Sequence, residues 1–542
     1  MPFLSCPKQC DNLERGVVIL RKQIICLLMF VVMIVVAGCG GSKSATSEKT
    51  PKDTLVVGLP VDLASIDPAV AMDNKAWKVS YPCYERLVQY KKTTNGKAST
   101  EVGPSLAKSW TVSNDGLTWT FNLEKGHKFA DGTPVDSKAV KFSVERVMAV
   151  KKGPADYFKP VKSIETPDAD TVVFKLAQPF APFLDTMAVN AAGIVNPKVM
   201  EHEKDGDKGS NYLAAHTMGS GMYELTEFNP GQDIKMVMNK NHFGKEPAIK
   251  TILFKVIKDP SAERLQLESG DLDIAAGIPM DQLDQLKSNK AIQIFESPSL
   301  LTSVVYINNQ KAPLNNVKLR QAISYAVDYK GIVDGAVKGR GQQLTTPVPQ
   351  GMWGRDDSIK GYSLEPDKAK GLLKEAGLEN GVTLKLLYSD NQGFNETQAL
   401  MLQNSLGKVG IKLELEKVAW ATFRERVDKG DFDLAMGTWS PDYADPQFFM
   451  TYWFDSKYFG LAGNRAFYKN DAVDTILREA ETITDQNKRI ELYKKAQAMV
   501  LADAPYIFLF QTNVLTPMRA NIKGYVYNPM LDDMYNFEDM SK

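Results

Sequence analysis

The chain has 542 residues, 44% of them hydrophobic, and its 65 basic and 65 acidic side chains leave no formal net charge. Such a balance offers no electrostatic footprint for nucleic acid or an anionic surface, and the length is ample for two or three packed cores.

Near the N-terminus, Arg21 and Lys22 precede an apolar run from Ile24 to Val36, followed by Ala37 and Gly38. A basic segment, an apolar segment and small residues before a break describe an export signal, and the run is shorter than the ~20 residues that span a bilayer. Val36-Ala37-Gly38-Cys39 resembles the lipobox of bacterial lipoproteins. That resemblance implies a signal peptide over residues 1–38 and a lipidated Cys39 that anchors the mature chain to a membrane. Residues 39–53 then read as a flexible tether, because the Gly-Ser-Lys-Ser-Ala-Thr stretch within them buries too little apolar surface to fold.

Losing the leader removes four basic and two acidic residues, which leaves a charge of −2. Cys6, Cys10 and Cys26 depart with it, and Cys83 remains as a thiol with no internal disulfide partner.

The body opens with a strand pattern at Thr54–Pro60. Around the Asp115-Gly116 turn, alternating β-formers predict a hairpin, and the apolar positions Ala139, Val140, Phe142, Val144 and Val147 partly fit a helical period. Further on, Val317–Val327 has helical spacing, and Pro366 and Gly377 stand where those residues favour the two ends of a helix. Glu396–Val409 and Asp471–Ala502 are also helical in pattern, with strand-like alternation at Val382–Tyr388 and Ile411–Leu415. Strands alternating with helices predict α/β lobes with mixed sheets.

One loop carries distinctive chemistry. Thr438-Trp439-Ser440-Pro441-Asp442-Tyr443-Ala444-Asp445-Pro446 follows a strand-like run and sets a carboxylate, Asp442, between an indole and a phenol. An acid out of bulk water needs a positive partner, and aromatic faces favour a cation placed over them, so an amino group suits the loop. An ordinary surface turn is the alternative.

Leu106-Ala107-Lys108-Ser109-Trp110, Asp115–Phe121 and Phe129-Ala130-Asp131-Gly132-Thr133-Pro134-Val135 resemble the hallmark of family 5 extracellular solute-binding proteins, the dipeptide, oligopeptide and nickel receptors of ABC importers. Gly219-Ser220-Gly221-Met222-Tyr223 and Glu268–Ile274 match later family motifs in order, Met222 standing where the family has proline. The resemblance implies a two-lobed periplasmic-binding-protein-like fold of type II, cluster C class. Lobe I would comprise residues 54–298 and 511–542 with an inserted subdomain, and lobe II residues 299–510. Two hinge segments would cross near Ser297–Thr302 and Phe510–Val514, and the lobes would close on ligand.

By the same resemblance, Asp442 pairs with a peptide α-amino group, flanked by Trp439 and Tyr443. Thr438 and Ser440 offer backbone groups to an extended peptide, and Lys311 meets its carboxylate end. The loop after the Leu384 strand, Ser389–Asn395, lacks the arginine that dipeptide receptors carry there. The implied function is a non-enzymatic receptor, a monomer without cofactor, that delivers short peptides to an ABC permease from the extracytoplasmic face of the membrane. A nickel-chelate or haem receptor of the same fold is the alternative, and an exported hydrolase the alternative of another class. His127, His202, His216 and His242 form no zinc motif, and neither a Gly-x-Ser-x-Gly turn nor a Walker loop is present.

Overall fold

Thr54–Leu59 forms the first strand, buried at every residue after Thr54, as a strand covered on both faces should be. It pairs in parallel with Thr251–Val256, and the sheet continues through Asp233–Met238 to Tyr223–Asn229. The Gly-Ser-Gly motif leads into that last strand for a steric reason. A Cβ at Gly219 would lie 2.0 Å from the Cys83 carbonyl oxygen, and one at Gly221 2.4 Å from that of Pro82, so only glycine lets the two backbones approach. Cys83 itself is buried.

The computed structural model describes residues 51–91, 99–389, 392–531 and 534–542. The expected leader, Cys39 and all but the last three residues of the tether lie outside the described residues. Lys52–Lys542 forms one compact unit, and no helix among the described residues is long and apolar enough to cross a membrane.

The hairpin expected at Asp115-Gly116 is present. Ala107–Val112 and Thr118–Leu123 pair antiparallel with Trp110 opposite Phe121, and Gly116 takes the left-handed φ of +69° that the turn requires. Trp119, Phe121 and Leu123 point inward, each contributing about 1.5–3 kcal/mol of apolar burial. Strands Thr171–Leu176 and Val161–Asp168 extend this second sheet, and helix Ser137–Val150 packs on it, capped by Asp136, whose Oδ1 accepts from the Ala139 amide.

Two strands are much longer than the rest. Ile292–Ile307 and Tyr506–Arg519 run antiparallel from Ile292 opposite Arg519 to Pro298 opposite Asn513, shift register, and resume at Thr302 opposite Gln511. Proline cannot donate to a ladder, and register shifts of this kind bend strands. On one side of the break Ile274 bridges both Val57 and Met518, tying the pair to the first sheet. On the other side the two strands occupy the middle of a six-stranded sheet with Gly341–Gln343, Leu434–Trp439, Val382–Ser389 and Ile411–Val418. The chain ends against its own beginning: Lys542 Nζ pairs with buried Asp273 at 2.6 Å, and Asp273 also accepts the Val56 amide.

Helices form at Val317–Tyr325, Pro366–Glu375 and Asn395–Gly407, close to their expected bounds. The helical pattern over Asp471–Ala502 is two helices, Asp471–Thr482 and Gln486–Asp503. Asp485 breaks it by capping the second, accepting from the Asn487 and Lys488 amides.

Candidate functional site

Leu434–Trp439 is an inner strand of the six-stranded sheet, buried from Leu434 to Met436. One edge pairs with Thr302–Ile307 along its whole length. The other pairs with Val382–Ser389 only at Leu434 and Ala435, so Met436–Trp439 keeps an edge without a strand partner among the described residues. Ser440–Pro446 leaves from the carboxyl end of this strand, where open α/β sheets place their ligands, and runs into helix Gln447–Phe454.

Two carboxylates in the loop have different surroundings. Asp445 is fully buried and held by both terminal nitrogens of Arg489, each at 2.7 Å. Asp442 is half-buried, and its Oδ2 accepts one hydrogen bond, from the Tyr157 hydroxyl at 2.8 Å. No cation among the described residues pairs with it. Burial lifts its carboxyl to about 6, working against the Tyr157 hydrogen bond, which pulls it down. Near neutral pH the loop therefore holds an anion that lacks a counter-charge.

Tyr157, on the turn Gly153–Phe158, has no signal in the sequence because it lies 285 residues from the carboxylate it serves. Burial first, and Asp442 second, push its hydroxyl well above the usual phenol range, so it remains a donor.

The rings expected to cover a cation are arranged otherwise. Tyr443 is buried, its hydroxyl donates to Gln447 Oε1, and its ring packs edge-on against Phe448 at 4.6 Å. Trp439 is half-buried, and the cation over its ring, at 4.8 Å, is the chain's own Arg465. Thr438 and Ser440 are half-buried, Thr438 opposite Ser303 in the ladder and Ser440 the first residue past the strand.

Lys311 is not brought to this loop. It lies beyond Ile307, which is opposite Leu434, whereas the loop begins at Trp439, opposite Thr302; that five-residue span of ladder is about 17 Å long. Its ammonium is half in solvent and pairs with Asp433 at 2.6 Å. The lysine expected at a peptide's carboxylate end thus falls at the opposite end of the strand from Asp442.

A cavity of about 1220 Å³ lies elsewhere, lined among others by Tyr84, Glu85, Lys91, His127 and Phe243, and contains neither Asp442 nor Trp439. Of its charged groups, Glu85 meets His127 and Lys91 pairs with Glu101. His202 and His216 stack on the two sides of Tyr212, and His242 reaches the Ser220 carbonyl.

Residues 101–460 match the bacterial extracellular solute-binding proteins, family 5. Over 493 residues the chain is 47% identical to a probable D,D-dipeptide-binding periplasmic protein of Escherichia coli (strain K12), covering 91% of this chain and 95% of that protein. It is 30% identical over 488 residues to the dipeptide-binding protein of the same organism, covering 85% and 89%. Its structure is similar to an ABC transporter-associated periplasmic binding protein from Helicobacter pylori in complex with the peptide STSA, with a TM-score of 0.75, 28% identity and coverage of 90% and 98%. The fold is the two-lobed α/β architecture of periplasmic binding proteins. The chain belongs to the family 5 extracellular solute-binding proteins, the substrate-binding components of ABC importers.

Proposed function

We propose that this chain is a non-enzymatic, monomeric receptor that captures short peptides, dipeptides among them, and passes them to an ABC permease. Cys39 would carry the lipid that holds it on the extracytoplasmic face of a membrane. The observation that carries the reading is Asp442, an anion screened from bulk water, hydrogen-bonded by one phenol and awaiting a cation. A peptide's terminal ammonium is the complement. The unpaired edge at Met436–Trp439 supplies backbone groups for an extended ligand, in the manner of an added strand. Relatives that bear on the same reading are the D,D-dipeptide-binding protein and the complex with STSA.

The lobes assigned above, 54–298 with 511–542 and 299–510, meet at the register break between Pro298 and Thr302. Rotation there would open and close the cleft, and Tyr157 of lobe I reaching Asp442 of lobe II is the contact that closure makes. Ligand contacts must exceed the cost of ordering both partners.

Titration calorimetry of the mature chain with Ala-Ala of L,L and D,D configuration, with the N-acetyl forms, and with haem and nickel–histidine tests the reading. Binding of a free dipeptide, weakened by N-acetylation and with no cleavage after long incubation, is expected. Binding of only haem or the nickel complex, or hydrolysis of the peptide, would overturn it. For the anchor, Cys39→Ser should move the protein from the membrane fraction to the soluble one.

A further inference from the structure

Among the interior arginines, Arg146, Arg320 and Arg489 have their charge or their N–H groups satisfied, by Asp67, by the Asp503 and Leu314 carbonyls, and by Asp445, and Arg86, whose Nε lacks an acceptor, still gives Nη1 to the Tyr81 and Tyr84 carbonyls. Arg465 is not so satisfied. It is half-buried, no carboxylate among the described residues pairs with it, and its Nε is buried without an acceptor. Its one side-chain hydrogen bond runs from Nη1 to the Tyr306 hydroxyl at 3.1 Å. A buried N–H left unpaired costs about 1–3 kcal/mol, so the arrangement is expensive unless something else occupies it.

The position of Arg465 indicates what that could be. Its guanidinium faces the Trp439 ring, and the Tyr306 hydroxyl it contacts lies so close over Gly437 that a Cβ there would come within 2.1 Å. The charge therefore lies over the face of the sheet at Gly437 and Trp439, within the stretch whose second edge has no strand partner among the described residues. Asp442 follows three residues after Trp439, and no ion pair joins it to Arg465: the one is hydrogen-bonded by Tyr157 and the other by Tyr306. A dipeptide spans about 7 Å between its ends, close to the rise of two strand residues. Along this edge, an ammonium at Asp442 sets a carboxylate near Arg465.

We propose that Arg465 receives the C-terminal carboxylate of the captured peptide, forming with Asp442 a two-ended clamp for a zwitterionic dipeptide. The assignment rests on the peptide reading above, and it supplies the cation that the Ser389–Asn395 loop lacks. A planar guanidinium backed by an indole is preorganised for bidentate binding of a carboxylate, which an ammonium is not.

The test compares D-Ala-D-Ala with its C-terminal amide and with its N-acetyl derivative, by calorimetry on the wild type, Arg465→Gln and Arg465→Lys. The wild type should prefer the free acid over the amide at least tenfold. Arg465→Gln should lose that preference while still binding the free amine better than the N-acetyl form, and Arg465→Lys should keep part of it. Because the readout is a ratio within one protein, a general loss of packing does not produce it. An Arg465→Gln variant that still prefers the acid overturns the assignment alone, whereas a wild type that binds none of the three overturns the peptide reading and this assignment together.

Discussion

Asp442 and Asp445 belong to one loop, three residues apart, and have opposite surroundings. Asp445 is fully enclosed, with a bidentate guanidinium, a backbone amide from Gln447 and a distant phenol from Tyr493 around it. Asp442 has one phenol and no cation partner among the described residues. The first fixes the loop to helix Gln486–Asp503 and so holds Asp442 in place. A carboxylate whose charge is matched internally reports on folding, and one whose charge is not reports on binding.

Removing each carboxylate should separate the two roles. Asp445→Ala strands a buried arginine and is expected to cost about 3–5 kcal/mol of stability by chemical denaturation. Asp442→Ala should leave stability unchanged or slightly raised while weakening dipeptide binding by about 2–5 kcal/mol, the cost of truncating one partner of a hydrogen-bonded charge pair. Equal losses of stability in the two variants would erase the distinction.

The distinction has a pH signature. Because burial raises Asp442 to about 6, its folded form holds a proton that the unfolded form releases near pH 4, so this group favours folding most below pH 4 and loses that contribution as pH rises toward 6. Binding runs the other way, since an ammonium ligand needs the ionised carboxylate. Affinity should fall about tenfold from pH 7 to pH 5 in the wild type and stay flat in Asp442→Asn. A flat wild-type profile would mean that Asp442 does not meet the ligand.

Tyr157→Phe gives the smallest effect. It removes one hydrogen bond, worth about 1 kcal/mol to a partly solvated carboxylate, and should move the pH profile upward because that bond lowers the Asp442 pKa. A downward shift would contradict the assigned role of the phenol.

The loop that carries Asp442 was legible in the sequence, because a strand, a Pro-Asp step and a Trp three residues earlier are local features. The sequence carried the secondary structure nearly as well where apolar spacing and turn residues agree, as at Asp115-Gly116 and Pro366–Gly377. It misled where one residue's environment depends on distant chain. Tyr443 looked like a cover for a cation held by Asp442, but consecutive side chains on a bent backbone diverge, and its ring packs inward on Phe448. Asp445 looked like part of a turn, and only Arg489, 44 residues on, reveals it as a structural anchor. Tyr157 and Arg465 reach the site from remote segments, and no spacing rule links them to it. Lys311 lies at the other end of the strand from the Asp442 loop, since a motif match does not say which end of a strand a loop occupies.

A crystal structure of the mature protein with bound D-Ala-D-Ala tests the central claim most directly. The account predicts the peptide's ammonium about 3 Å from an Asp442 oxygen, with the peptide laid along Met436–Trp439. A peptide seated instead in the cavity beside Glu85 and His127, with Asp442 still meeting Tyr157 alone, would contradict it.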